Sequence, residues 1–285
     1  MNQLTILRNT GPTTLTERWY ENDLQVDAGA VTVGIVDAAG TVVVAPLTAT
    51  TKAGSGATTS YSYDLAIQTA VSRLTVTWTR TDTGASLSDE VEVVGWHLFT
   101  VAQTRAWDGA VMASTTAYPL ATILEERDRI TDVLEHQIGF PPIQRYGSAT
   151  LSGQGEDRIW LPTHRVVSVL ATTVDGAAFD AGDLTDLRID GATLIRDAGG
   201  VFACGDSNVD VHYCWGPDRP LADADRVGLF LLRDRLVPAD ISPRVMSQSN
   251  ELGVAQFALP SARFPFGLPV VDQWVKDHDE RRRFA

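Results

Sequence analysis

The sequence predicts an α+β fold in three parts: an antiparallel β-sandwich over residues 1–98, helices interrupted by further strands over 99–238, and an extended arm ending in a helix over 239–285. Three observations predict it. Apolar residues alternate with a period of two through the first hundred positions. From about Phe99 the period changes to three and four residues, with a second alternating section inside it. From Ala239 to Pro269 no period is sustained, yet charged residues are almost absent.

In the first part, "VTVGIVD" (31–37) puts Val31, Val33 and Ile35 on one face, and "AAG" turns the chain into "TVVVAP" (41–46). "RLTVTWTR" (73–80) alternates Leu74, Val76 and Trp78 against Thr and Arg, and "TDTG" turns it into "ASLSDEVEVVGW". Such runs between polar turns belong to sheets with one face buried and one solvated. An immunoglobulin-like sandwich is expected, which does not depend on a disulfide; this part has no Cys. By composition, "TATTKAGSGATTS" (48–60) reads as a mobile loop.

The boundary falls near residues 95–98. "FTVAQTRAWDGAVMA" reads as a short helix or turn. A longer helix follows in "YPLATILEERDRITDVLEHQIGFPP", with Leu120, Ile123, Leu124, Ile130, Leu134 and Ile138 inward and Glu125, Glu126, Asp128, Arg129 and Asp132 outward. Pro119 suits its first turn, and Gly139 before Phe140-Pro141-Pro142 stops it. "DRIWLP", "HRVVSVLATTVDG", "TDLRIDGATLIRDAGG" and "SNVDVHYCWGP" read as strands joined by Asp-Gly and Gly-Gly turns. "LADADRVGLFLLRDRLVP" is helical, with Val227, Leu231, Leu232 and Leu236 toward a core and Pro238 ending it.

From 239 to 269 the only charged residues are Asp240, Arg244, Glu251 and Arg263, while Val254, Phe257, Leu259, Phe264 and Phe266 are poor solvent-facing side chains. This stretch is too apolar for a solvated linker, so it reads as an arm that needs a surface. Burying Phe257, Phe264 and Phe266 at ~1.5–3 kcal/mol each would anchor it. The terminal helix gathers Val270, Val271, Trp274 and Val275 on one side, as a helix docking in a groove does. Loose in a free monomer and ordered in an assembly is the expected behaviour. Arg281, Arg282 and Arg283 complement the helix macrodipole or meet an acidic partner.

A net charge of −13 repels phosphate backbones, which excludes a nucleic-acid binder held by electrostatics. No stretch approaches the roughly 20 apolar residues of a spanning helix, and the N-terminus lacks a basic start followed by an apolar run. A soluble intracellular product with no membrane association is the expectation. Read as a hairpin turning at residues 205–208, "VFACGDSNVDVHYCWG" separates Cys204 and Cys214 by roughly 17 Å at strand rise, too far for a disulfide. Two cysteines alone build no zinc site. His136, His164 and His212 form no ligand pair, and no nucleophile elbow, phosphate loop or dinucleotide fingerprint occurs. "DAGDLTDLRIDG" (180–191) fits no calcium loop and reads as Asp/Gly turns beside a strand. "ERDR" (126–129) and "RDR" (233–235) read as solvated helix faces or contacts to a neighbouring subunit. No catalytic, cofactor or metal site is expected.

Taken in order, "ILEERDRITDVLEHQIG", "VVSVLATTVDG", "NVDVHYCWGPDRP", "VGLFLLRDRL", "SQSNELG" and "FGLPVVDQWVKDHDERRR" resemble the head-to-tail adaptor (connector) proteins of long-tailed bacteriophages, especially phages of actinobacteria. The resemblance covers about two-thirds of the chain, from residue 99 onward, and rests on the order of parts. It implies a small helical adaptor domain with a β insertion and a ring commonly of twelve subunits. The ring sits between the portal protein and the next neck or tail-completion protein, in the neck of the virion after assembly in the host cytoplasm. DNA passes through its lumen without sequence-specific binding, and no enzyme activity is involved. Phe257, Phe264, Phe266, Val271, Trp274, Arg281, Arg282 and Arg283 would then meet the portal or a neighbouring subunit. The N-terminal sandwich elaborates the family pattern. Two competing readings are a glycan- or receptor-binding module on residues 1–98, around Trp19, Trp78 or Trp96, and a hydrolase or metal enzyme of unfamiliar pattern.

Overall fold

The computed structural model describes residues 4–21, 24–197, 199–237, 245–248, 255–257 and 265–279. It is an α+β protein, mostly strands in several sheets, with five α-helices among the described residues. In chain order come β1 (Leu4–Leu7), β2 (Thr13–Glu17), β3 (Tyr20–Glu21), β4 (Leu24–Gln25), β5 (Val31–Asp37), β6 (Val42–Ala49) and β7 (Thr51–Ala53). Then follow β8 (Ser60–Leu65), β9 (Ser72–Arg80), β10 (Ser86–Val94), α1 (Val101–Ala110) and α2 (Leu120–Ile138). The second strand section holds β11 (Arg145–Gly153), β12 (Arg158–Trp160), β13 (Val166–Val174), β14 (Ala177–Ala178), α3 (Ala181–Thr185), β15 (Leu187–Asp190), β16 (Thr193–Arg196) and β17 (Gly205–Trp215). Last are α4 (Ala224–Leu236), β18 (Val245–Gln248), β19 (Ala255–Phe257) and α5 (Pro269–His278).

These elements form two compact units, Met1–Trp96 with Gln144–Trp215, and His97–Ile143 with Gly216–Ala285. The second strand section thus groups with the N-terminal strands, and the helices on either side of it group together.

In the first unit a five-stranded sheet runs β1-β10-β9-β5-β6 and a three-stranded sheet runs β2-β8-β7. The period-two pattern sets the register: Val33 lies opposite Trp78 and Ile35 opposite Val76. All four are buried in one core with Leu15, Tyr61 and Leu65 of the smaller sheet. Pairing is antiparallel except that β1 joins β10 in parallel. Residues 48–60 are not a loop throughout, because β7 pairs with β8 and a 3-10 turn follows it. Lys52 on β7 also holds Asp27 at 2.7 Å.

The remaining strands make a sheet in the order β11-β17-β13-β14 and another in the order β12-β16-β15. Ile159, Leu194, Phe202, Val209, Val211 and Tyr213 fill the core between them. Asp175 and Gly176 both take positive φ in the tight turn from β13 to β14, as an Asp-Gly pair favours. The expected hairpin at residues 205–208 is corrected: β17 is one continuous eleven-residue strand, flanked on both sides by β11 and β13. The turn residues are recruited into the sheet because the Asn208 side chain ties it to its surroundings. Its amide accepts from Gly153 N–H at 2.9 Å and donates to Asp175 and to the Ala203 carbonyl, each at 3.1 Å. Both thiols are free, Cys204 exposed and Cys214 buried, with burial pushing the Cys214 thiol up to about 11.

In the second unit, Thr100 and Gln103 close a capping box at the start of α1. α2 buries Ile123, Ile130, Leu134 and Ile138, and ends at Gly139 with φ +86°, the left-handed cap a glycine takes without strain. Two positions depart from the expected faces. Leu120, in the first turn, is 54% exposed, and Arg127, inside the "ERDR" run, is buried. α4 buries Val227, Leu231 and Leu232, while Leu236 is half-buried. Its charged end is paired rather than merely solvated: Arg233 meets Asp108, and Arg235 meets Glu126 at 2.9 Å.

Gly216, where the chain re-enters the helical unit, has φ +113°, and a Cβ there would stand 2.5 Å from the Ile143 carbonyl oxygen. Gly216→Ala is therefore expected to cost about 1–3 kcal/mol through backbone strain. Urea unfolding of the variant beside the wild-type chain checks this.

Candidate functional site

Of the residues singled out in the sequence, Val271 and Trp274 lie on the C-terminal helix and Phe266 stands just before it. Pro269 occupies the first turn of α5, where its missing N–H costs nothing. Val271, Trp274 and Val275 are buried and Val270 is exposed. The helix packs against both α2 and α4. Trp274 Nε1–H donates to the Ala222 carbonyl at 2.9 Å, and His278 stacks on the indole with ring centroids 4.4 Å apart. The sequence pattern left this apolar face for a groove on another chain and the helix loose in the monomer; here the groove belongs to the same chain.

Phe266, just before α5, is half-buried, and its N–H donates to the buried Asp272 carboxylate at 3.0 Å. Phe257 ends β19, and its side chain lies outside the described residues, as do Phe264, Arg281, Arg282 and Arg283. The described parts of the arm include two short antiparallel strands, β18 and β19, where no regular structure was expected.

Beneath α5, α2 carries the feature that sequence reasoning missed. The Arg127 side chain is only 4% exposed, and its contact with the neighbouring Asp128 is a single one at 3.4 Å. His97 is near enough to feel the Arg127 charge, and burial, reinforced by that charge, pushes the imidazole down to about 3. Helical periodicity could have placed Arg127 between Ile123 and Thr131 on one stripe, but a basic residue in a charged run reads as solvated.

A folded-state value below the ordinary 6.5 means that the unfolded chain takes up a proton before the folded chain does. The stability tied to neutral His97 is thus fully present above about pH 6.5 and lost as pH falls toward 3. His97→Gln is expected to flatten this acid limb. Urea midpoints of both proteins from pH 7 to pH 4 check it, and parallel curves would refute it.

An open concavity of about 510 Å³ at the end of α2 is lined by Asp132, Glu135, His136 and Gly139. His212, on β17, is hydrogen-bonded to the Tyr146 hydroxyl, and His164 lies in the loop before β13. Among the described residues no group of three or more His, Cys, Asp or Glu could hold a metal ion. Trp19 and Trp78 are core residues of the first unit, so neither offers a ring to a ligand. The exposed tryptophan is Trp160 on β12, 69% accessible.

No family model, curated protein or solved structure matches the chain.

Proposed function

We propose that the chain is a structural, non-enzymatic virion protein: a ring-forming adaptor that joins the capsid portal to the tail and lets DNA pass through its lumen. The observation that supports this reading is how the helical unit is built. It is assembled from two stretches, His97–Ile143 and Gly216–Ala285, with a strand section inserted between them. A small helical bundle interrupted by a β insertion is what the resemblance to head-to-tail adaptors implies.

In this reading the partners are the portal, the next neck protein and further copies of the chain, twelve to a ring, in the virion neck. Phe257, Phe264 and Arg281 to Arg283 supply contacts to the portal or a neighbouring subunit. The net charge of −13 suits a conduit, because a negative lumen does not hold DNA and lets it slide. Residues 1–98 form an immunoglobulin-like sandwich, a reading supported by two sheets that share one core.

Native mass spectrometry of the full chain, alone and mixed with the portal ring of the same phage, tests the proposal. The expected result is a 30.8 kDa monomer alone and a twelve-fold multiple added to the portal. A monomer or dimer indifferent to the portal would overturn it. A full-chain glycan array then examines the binding-module reading, in which residues 1–98 take up a glycan or receptor.

A further inference from the structure

A guanidinium removed from water costs several kcal/mol unless an anion and hydrogen bonds replace its hydration. The chain shows what adequate replacement looks like. In the first unit Arg145 grips the buried Glu92 carboxylate with Nε at 3.0 and 3.1 Å and Nη2 at 2.7 Å. In the second, Arg105 donates to the carbonyls of Met112, Ser114 and Tyr118 at 2.6, 3.1 and 2.7 Å.

Arg127 is more deeply placed than Arg145 and far less well served. Its side chain is 4% exposed, and its single ionic contact, Nε to Asp128 at 3.4 Å, is with a chain neighbour that is itself 28% exposed. Side chains one residue apart on a helix do not face each other, so this pair is held in poor geometry. Neither Nη makes a hydrogen bond among the described residues. The Thr131 hydroxyl donates to the Arg127 carbonyl and makes no bond to the guanidinium among the described residues. His97, neutral and near enough to feel the Arg127 charge, makes no hydrogen bond to the guanidinium among the described residues and brings no compensating negative charge. Water reaching the Nη atoms, which are not among the fully buried unpartnered atoms, supplies acceptors but no charge. The missing component is an anion, and the free edge of a guanidinium fits two oxygens of one planar or tetrahedral group.

We propose that Arg127 is an anion-accepting site that takes one carboxylate or phosphate group of a ligand. It goes beyond the adaptor reading and does not depend on it.

Thermal unfolding of the full chain in chloride, acetate and inorganic phosphate at matched ionic strength tests this, with the Arg127 Nε–Hε resonance followed in the same titrations. The expected result is a saturable shift of that resonance and a rise of about 2–4 °C in the midpoint with acetate or phosphate. Arg127→Met should abolish the rise, and Arg127→Lys, which keeps the charge without the fork, should retain only part of it. A response to phosphate alone assigns the site to a phosphate-bearing ligand; a response to acetate as well assigns it to a protein carboxylate. No response to either anion in the wild-type chain, or an equal response in Arg127→Met, overturns the proposal. Should Arg127→Met fail to fold, the wild-type resonance and Arg127→Lys still decide.

Discussion

Trp274→Ala is expected to destabilise the helical unit by about 3–5 kcal/mol, the range for emptying a buried tryptophan site. The indole is buried where α5 packs on α2 and α4, its N–H is satisfied by the Ala222 carbonyl, and His278 covers its face. Truncation removes all three contributions and leaves a large void. The consequences reach two other helices, because α5 lies against both. Hydrogen exchange of α2 and α4 amides, with protease resistance of Pro269–His278, measures the effect in the free chain. If α5 instead found its groove only on a partner, the variant would leave the free chain unchanged and weaken assembly alone. The same experiment therefore separates self-docking from docking in trans.

A comparable loss is expected for Arg145→Met, about 3–5 kcal/mol, because the buried Glu92 carboxylate loses the three hydrogen bonds of the Arg145 guanidinium. Glu92 is 1% exposed on β10, and Arg145 reaches it from β11, so the pair links the N-terminal strands to the second strand section. Replacing both partners, Arg145→Met with Glu92→Met, should recover most of the loss, since an apolar pair of similar size escapes the desolvation penalty. Urea unfolding of the two single variants and the double variant completes the cycle. A single variant within 1 kcal/mol of wild type would show that Glu92 is adequately held without Arg145.

The elements were legible where side-chain period and turn chemistry agree. Alternation placed Val33, Ile35, Val76 and Trp78 in one core, and the Asp-Gly turn after β13 formed where that dipeptide stands. Gly139 ended α2 in the left-handed conformation. Illegible positions were those where a local signal points the wrong way. Residues 205–208 have turn composition, yet the Asn208 side chain satisfies backbone groups on neighbouring segments and the strand runs on through them. Residues 48–60 look like a linker and still pair with β8, because pairing depends on the strand available beside them. Leu120 has the right spacing for the core, but the first turn of α2 extends beyond it.

By itself the sequence determined what is periodic: which segments are strands or helices, which face of each is apolar, and where glycine and proline interrupt them. These follow from interactions a few residues apart. Tertiary structure alone decided what covers each face, since covering requires a surface distant in the chain. α2 and α4 close over Val271 and Trp274, which the sequence left open to any groove, and the two stretches flanking the second strand section join into one helical unit. The same packing buries the Arg127 side chain, whose one hydrogen bond among the described residues is Nε to Asp128.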